Sequence, residues 1–311
     1  MKNLYLIFLL PFLFFSCKKD DSTKIKEKTS KIQSLGGAIF SYNEKGDPLF
    51  ITKTQDMSLY DAFGSGAIET RVQILRSFFE YQNDGKISSF TAMGLYNQGS
   101  SVPSPSYKYY DYSYPTADQT IVKFSEGISR LESSSRTSTF KLTSTNGLLT
   151  LIEVIYDDPV SNRYNQRTNR IEISYSGKNP STISMYKLYS PTQGVEPKWT
   201  LVEKYDNFKY DNFSNPLYVA FNGKPNFYFA QFGEPNGYFE FINLYSISVN
   251  NPLSTDVKYY NYDGSFLHDG VITYKPKYDT NNNMIYYEGE NKKLSIPYYS
   301  SQLRGMVINY Y

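Results

Sequence analysis

Read residue by residue, the chain calls for an all-β fold: an antiparallel meander of short hairpins forming a single curled, half-open twisted sheet. Three observations point there. The 311 residues include 32 Tyr and 21 Phe, side chains that favour the half-buried surface of a pleated strand. Strand alternation recurs, with Ile171, Ile173 and Tyr175 on one face and Glu172 and Ser174 on the other. A short pattern also repeats: a Tyr, then Gly, Ser or Asn four residues on, then Pro, Ile or Met six on.

The repeat reads "YNEKGDPLF" from Tyr42, "YQNDGKISSF" from Tyr81, "YDNFSNPLY" from Tyr210 and "YDTNNNMIYY" from Tyr278. "TSTNGLLTL" from Thr143 keeps the spacing without the Tyr, and "YSGKNPSTI" from Tyr175 is one residue shorter. The physics is that of a hairpin. A strand ends on an aromatic, and Asn, Asp and Gly supply the left-handed backbone positions of the turn. The chain then returns on an apolar strand. Gly46 and Gly85 are expected at positive φ. Val72, Ile74 and Phe78 alternate into the turn after Tyr81 and read as a strand. "LLTLIEVIY", 148–156, is more continuously apolar and reads as a strand covered on both faces. Helix signals are scarce.

These motifs resemble the Tyr-Asp repeats of the RHS family, and more closely a group of Bacteroidota lipoproteins with RHS-like (YD-like) repeats and no known function. The best match is "FKYDNFSNPLYVAF", 208–221, followed by "YKPKYDTNNNMIYYE", 274–288. The resemblance implies a curled antiparallel sheet and brings over no catalytic or binding residue.

The N-terminus sets the address. Met1-Lys2-Asn3 precedes an apolar run from Leu4 to Phe15, too short to span a bilayer but laid out as a secretory signal. Ser16 then precedes Cys17, the only cysteine, which has no partner within the chain for a disulfide. The ensemble resembles a bacterial lipoprotein signal, which implies cleavage after residue 16 and acylation of Cys17. Phe14 and Phe15 stand where that signal usually has Leu and a small residue. Lys18, Lys19, Asp20 and Asp21 resemble the short charged tag that exports some Bacteroidota lipoproteins to the cell surface, and a solvated linker explains them equally. Asp21-Ser22-Thr23 resembles the O-glycosylation sequon of the same bacteria, with Ser22 as acceptor. The expected domains are a signal peptide over 1–16, an acylated Cys and flexible tether over 17–37, and a repeat-containing β domain over 38–311. The expected location is the outer membrane, lipid-anchored and facing outward.

Composition excludes several functions. Lys and Arg total 32 against 30 Asp and Glu, so there is no electrostatic case for nucleic acid. His268 is the only histidine, so any triad would have to use it; the Asp-Gly beside it reads as a turn. With one His and an acylated Cys, zinc is not expected, and no cofactor is. Asp279, Asn281, Asn283 and Glu290 fall at positions 1, 3, 5 and 12 of an EF-hand-like loop, a weak calcium candidate because Met284 stands where Gly is needed. Asp157 with Asp158, Asp206 with Asp211, and Glu288 with Glu290 are the carboxylate pairs a glycosidase could use. Tyr107, Tyr109, Tyr110, Tyr112 and Tyr114 crowd one stretch and could stack on a ligand; 227–245 is similarly aromatic. The expected function is a non-enzymatic surface lipoprotein that binds a glycan or an envelope protein. The alternatives are a carbohydrate-active hydrolase and a lipid or lipoprotein carrier using a concave sheet face.

Overall fold

The computed structural model describes residues 31–35, 37–59, 69–96, 104–127, 136–156, 169–189, 196–221, 224, 247–293 and 300–311. The described strands form one antiparallel sheet. They are β1 (Ile32–Leu35), β2 (Ala38–Tyr42), β3 (Pro48–Leu59), β4 (Glu69–Tyr81), β5 (Ile87–Tyr96), β6 (Ser104–Thr116), β7 (Gln119–Gly127), β8 (Arg136–Thr145), β9 (Leu148–Tyr156), β10 (Asn169–Ser176), β11 (Asn179–Tyr189), β12 (Lys198–Ser214), β13 (Asn250–Tyr260), β14 (Phe266–Tyr274), β15 (Lys277–Tyr278), β16 (Met284–Lys293) and β17 (Ser300–Tyr310). One short helix, α1 (Pro216–Phe221), follows β12.

The half-open sheet expected from the sequence is wrong: the sheet closes. β1 pairs with β17 on one side and β2 on the other, and β9 pairs with β10. Setting aside β15, a two-residue strand that pairs only with β16, sixteen strands complete an antiparallel ring. The physical reason is the cost of an unpaired edge, which closure removes. The closing strand lies at Ile32–Leu35, inside the stretch read as tether, so the barrel begins before residue 38.

The repeat forms the turns. Gly46 and Gly85 have φ of 87° and 83°, and Gly147, Gly177 and Asn282 are likewise left-handed. In the turns after Tyr42, Tyr81, Tyr260 and Tyr278 the same two backbone bonds recur, for example Asn43 N–H to Asp47 O and Gly46 N–H to Asn43 O. The Tyr210 copy departs from this. Asn215 accepts from Leu217 N–H, and Pro216 occupies the first helical position, so the chain starts α1 instead of a tight turn.

Tyrosines near the motif turns, Tyr81, Tyr175 and Tyr210 of the repeat among them, tie neighbouring hairpins together. Tyr81 donates its hydroxyl to Pro48 O, Tyr114 to Ile87 O, Tyr175 to Leu149 O, Tyr210 to Pro180 O and Tyr310 to Met284 O, at 2.5–2.9 Å. In each case the acceptor is the first or second residue of the return strand of the preceding hairpin. Burial raises the phenol pKa of these tyrosines, to about 12 for Tyr114 and further for the others, so they stay protonated donors.

Partners in register share a face, so the inward side chains can be followed round the ring. Phe79, Phe90, Tyr110 and Phe124 lie opposite one another in succession, as do Leu142, Ile152, Ile171 and Met185, then Ile183, Tyr205 and Val257. All belong to one buried cluster. A closed sheet buries a continuous face only toward its inside, so this tier is the barrel's core. α1 sits within it. Phe221 packs on Phe79 at 5.7 Å, and Lys224, just past the helix, bonds Asp47 and lies 5.1 Å over the Tyr81 ring. Tyr218 reaches toward Tyr175 on β10, well round the ring from β4. The helix therefore plugs the end that carries the motif turns.

Two residues farther from those turns, the inward face becomes polar on part of the ring, while Ala92, Phe140 and Val154 keep it apolar on β5, β8 and β9. Ser77, Ala92, Lys108 and Glu126 face one another in series, and so do Asn169, Lys187 and Thr200. The outward parity is charged on many strands, with Arg76, Glu80, Asp111 and Lys123 exposed.

Two substitutions probe this frame. Tyr81→Phe leaves the Pro48 carbonyl without its donor and should cost about 0.5–1.5 kcal/mol in urea unfolding. Gly85→Val has open space around it, so its cost should be the backbone term alone, roughly 1–2 kcal/mol.

Candidate functional site

The polar tier is richest on the wall made by β11 to β14. Glu203 on β12 lies opposite Tyr259 on β13, which lies opposite His268 on β14. The Tyr259 and His268 rings meet at 4.4 Å. Tyr205 donates its hydroxyl to a Glu203 oxygen at 2.8 Å. A β-bulge makes the cluster. Met185 faces Glu203 and Tyr186 faces Leu201, so Val202 is the extra residue. The bulge shifts the parity of β12, and Thr200, Val202, Glu203 and Tyr205 all turn inward. Leu267 is an extra residue of the same kind on β14, between His268 and Phe266.

The turn between β13 and β14 folds over this wall. Lys187 Nζ reaches the Tyr262 hydroxyl at 3.4 Å and lies 5.2 Å over its ring. Tyr262 stacks on Tyr189 at 5.9 Å and 19°. A Cβ on Gly264, at φ 87°, would sit 3.6 Å from the Thr200 methyl. Thr200 is 6% exposed, and its hydroxyl has no hydrogen-bond partner. Tyr262 is 49% exposed. The wall thus presents two stacked rings, a carboxylate, an ammonium and an unpaired hydroxyl.

Burial raises the Glu203 pKa; the Tyr205 hydrogen bond and Lys187 offset it only in part.

The candidate residues read from sequence fare unevenly. Cys17, Lys18, Lys19, Asp20, Asp21, Ser22, the pair Asp157 and Asp158, and the aromatic stretch 227–245 lie outside the described residues. The tyrosine cluster is split by strand parity. Tyr110 and Tyr112 are buried inward, and Tyr114 is spent on its bond to Ile87. Tyr107 and Tyr109 stack on the outward face at 5.7 Å. The calcium candidates do not converge. The Asp279 carboxylate accepts from Asn281 N–H, Asn283 N–H and the Asn283 amide, which lowers its pKa. Glu290 is in β16 opposite Thr273, seven residues on from Asn283 and so roughly 23 Å along the strand at about 3.3 Å per residue. Among the described residues no three His, Cys, Asp or Glu are grouped to hold a metal. The carboxylate pairs have separate local partners: Asp206 pairs with Lys204 at 3.0 Å, Asp211 bonds Asn251 and Tyr278, and Glu288 accepts from Tyr286. His268, read as a turn-flanking residue, is in fact buried on the inward wall. Glu203, Lys187 and Thr200 were not anticipated, because the bulge that gathers them breaks the two-residue period by which strand faces are read.

No family model matches the chain, and no curated protein matches it. Two solved structures are similar in outline. One is a porin-like protein from Bacteroides uniformis ATCC 8492, with a TM-score of 0.39 and 11% identity over 84% of this chain and 96% of that one. The other is a porin-like protein from Bacteroides vulgatus ATCC 8482, with a TM-score of 0.38 and 11% identity over 91% and 99%. At that distance neither decides anything about this chain.

A pH series tests the burial of Glu203. A carboxyl whose folded pKa is raised contributes stability that is full below its unfolded pKa and lost as pH rises through the folded value. Glu203→Gln removes that loss. Its stability relative to the unsubstituted chain should therefore improve from pH 4 to pH 8 in urea titrations. A relative stability that falls over the same range would contradict the burial.

Proposed function

We propose that this chain is a non-enzymatic lipoprotein of the outer membrane, held by acyl chains on Cys17, whose barrel is a plugged receptacle that binds a ligand and does not conduct. The observation that carries this reading is the distribution of polarity in the ring. A membrane-spanning barrel turns an apolar band outward and keeps a polar interior. Here the motif end is filled by an apolar inward tier and α1. Charged residues stand outward on several strands, including Arg170 and Glu172 on β10 and Lys204 and Lys258 on β12 and β13. Among the described residues, the exposed apolar Ile39, Phe78, Ile285 and Val307 form no unbroken band round the ring. A Lys or Arg facing lipid near the bilayer midplane costs about 2–4 kcal/mol. The wall therefore suits water, and attachment falls to the N-terminal lipid. Two acyl chains or more would make it stable.

The charged run Lys18 to Asp21 supports export to the outer face, and Ser22 is the O-glycosylation acceptor on the same reading. The likeness to RHS-like lipoproteins fits the repeated turns. Among the described residues, the inward wall of β11 to β14 is the surface best furnished to hold a ligand, and it favours a binding role over hydrolysis because it offers one carboxylate and not a facing pair.

Cys17→Ser gives the test. The variant should leave the membrane fraction and be recovered folded from detergent-free extracts, without incorporating labelled fatty acid. Recovery of folded Cys17→Ser only from membranes, extracted by detergent, would mean that the wall itself inserts and would overturn the proposal.

A further inference from the structure

We infer that the inward wall of β11 to β14 binds a neutral sugar ring, a hexose unit of an oligosaccharide, on Tyr262 with Lys187, Glu203 and Thr200 as the hydroxyl readers. This rests on the receptacle reading above and names its ligand class. Four observations lead to it. Tyr262 and Tyr189 are stacked nearly parallel, and about half of Tyr262 remains exposed. Such a ring face is apolar and electron-rich and suits the axial C–H groups of a pyranose. Beside it stand an acceptor and a donor on adjacent strands, the Glu203 carboxylate and the Lys187 ammonium. Vicinal sugar hydroxyls, each both donor and acceptor, match such a pair. The Thr200 hydroxyl is buried and unpaired, an arrangement that costs stability unless a ligand or water completes it.

The chemistry selects against other ligands. An acyl chain would cover Lys187, Glu203 and Thr200 without hydrogen-bonding them, and burying such groups unpaired is unfavourable. The Lys187 and Glu203 charges offset one another, so the wall offers no net charge to attract an anionic or cationic ligand. A few convergent polar groups around aromatic surface is the usual make-up of a small-molecule site.

The experiment uses the Cys17→Ser chain, titrated by calorimetry with maltoheptaose, cellohexaose, a hexa-galacturonate and, separately, palmitate. At least one neutral oligosaccharide should bind. Tyr262→Ala, at an exposed turn tip, and Lys187→Met should each weaken that binding by about tenfold or more. Lys204→Ala, which changes an outward ion pair, should leave it unchanged. Failure of both neutral sugars to bind would overturn the inference, as would palmitate or the uronate binding in their place, or equal affinity in Tyr262→Ala. A folded, soluble Cys17→Ser chain that binds no sugar refutes the ligand alone. A chain that inserts into membranes refutes the receptacle beneath it.

Discussion

Everything else in the molecule depends on the pairing of a four-residue strand with both ends of the sheet. Ile32–Leu35 bonds to β17 through Ile32, Ser34 and Leu35 and to β2 through Ser34 and Leu35. Without it, β2 and β17 would each present a row of unpaired amides and carbonyls, and the apolar inward tier would face water. With it, Ile32, Leu35, Phe40 and Ile308 are buried together at 5% exposure or less. Tyr42 adds a bond from its hydroxyl to Ile32 O, and Tyr311 another to Phe40 O. The seam is thus fastened by the same tyrosine-to-carbonyl contact that joins hairpin to hairpin elsewhere.

Closure also creates the division of the interior. Once the sheet is a ring, inward apolar residues gather near the motif turns, and on β4, β6, β7 and β10 to β12 a polar one follows beyond them. The first tier, with α1 lodged in it, excludes water from one end. The second tier is where polarity gathers, and on β11 to β14 two bulges concentrate it. Buried Asn215 and Asn251 tie the end of β12 to the start of β13. Asn215 bonds Ser248, and Asn251 bonds Asp211. The start of α1 is therefore tied to Ser248, and Lys224 beyond its end bonds Asp47.

Much of this was legible in the residues. The hairpin turns followed from Gly46, Gly85 and Gly147, because a positive φ leaves a compositional mark, and the β10 faces followed from alternation. Closure was not legible. Ile32 and Leu35 sit among lysines and serines and look like linker, and the gain from pairing an edge is a property of the whole ring and not of any four residues. Asn215-Pro216 did carry a helix-start signal, which the match to the repeat obscured. Glu203, Lys187 and Thr200 could not have been assembled, since a bulge is set by the register of two strands. The Asp-Gly beside His268 suggests a turn, although its side chain is placed by Tyr259 across the ladder.

The seam itself offers the decisive measurement. Ser34 and Asn309 face each other across β1 and β17, and the Asn309 amide bonds the Ser34 hydroxyl at 2.8 Å. Opposed residues in an antiparallel pair have Cβ atoms about 4.5–5.5 Å apart, near enough for a disulfide after small adjustment. With both changed to Cys in the Cys17→Ser background, mild oxidation should join the chain ends within one molecule. Mass spectrometry of a protease digest would show the two terminal peptides linked. A closed barrel predicts near-complete intramolecular linkage in the native protein and its loss in urea. Free thiols in the oxidised native protein, or links only between molecules, would mean that the sheet is open.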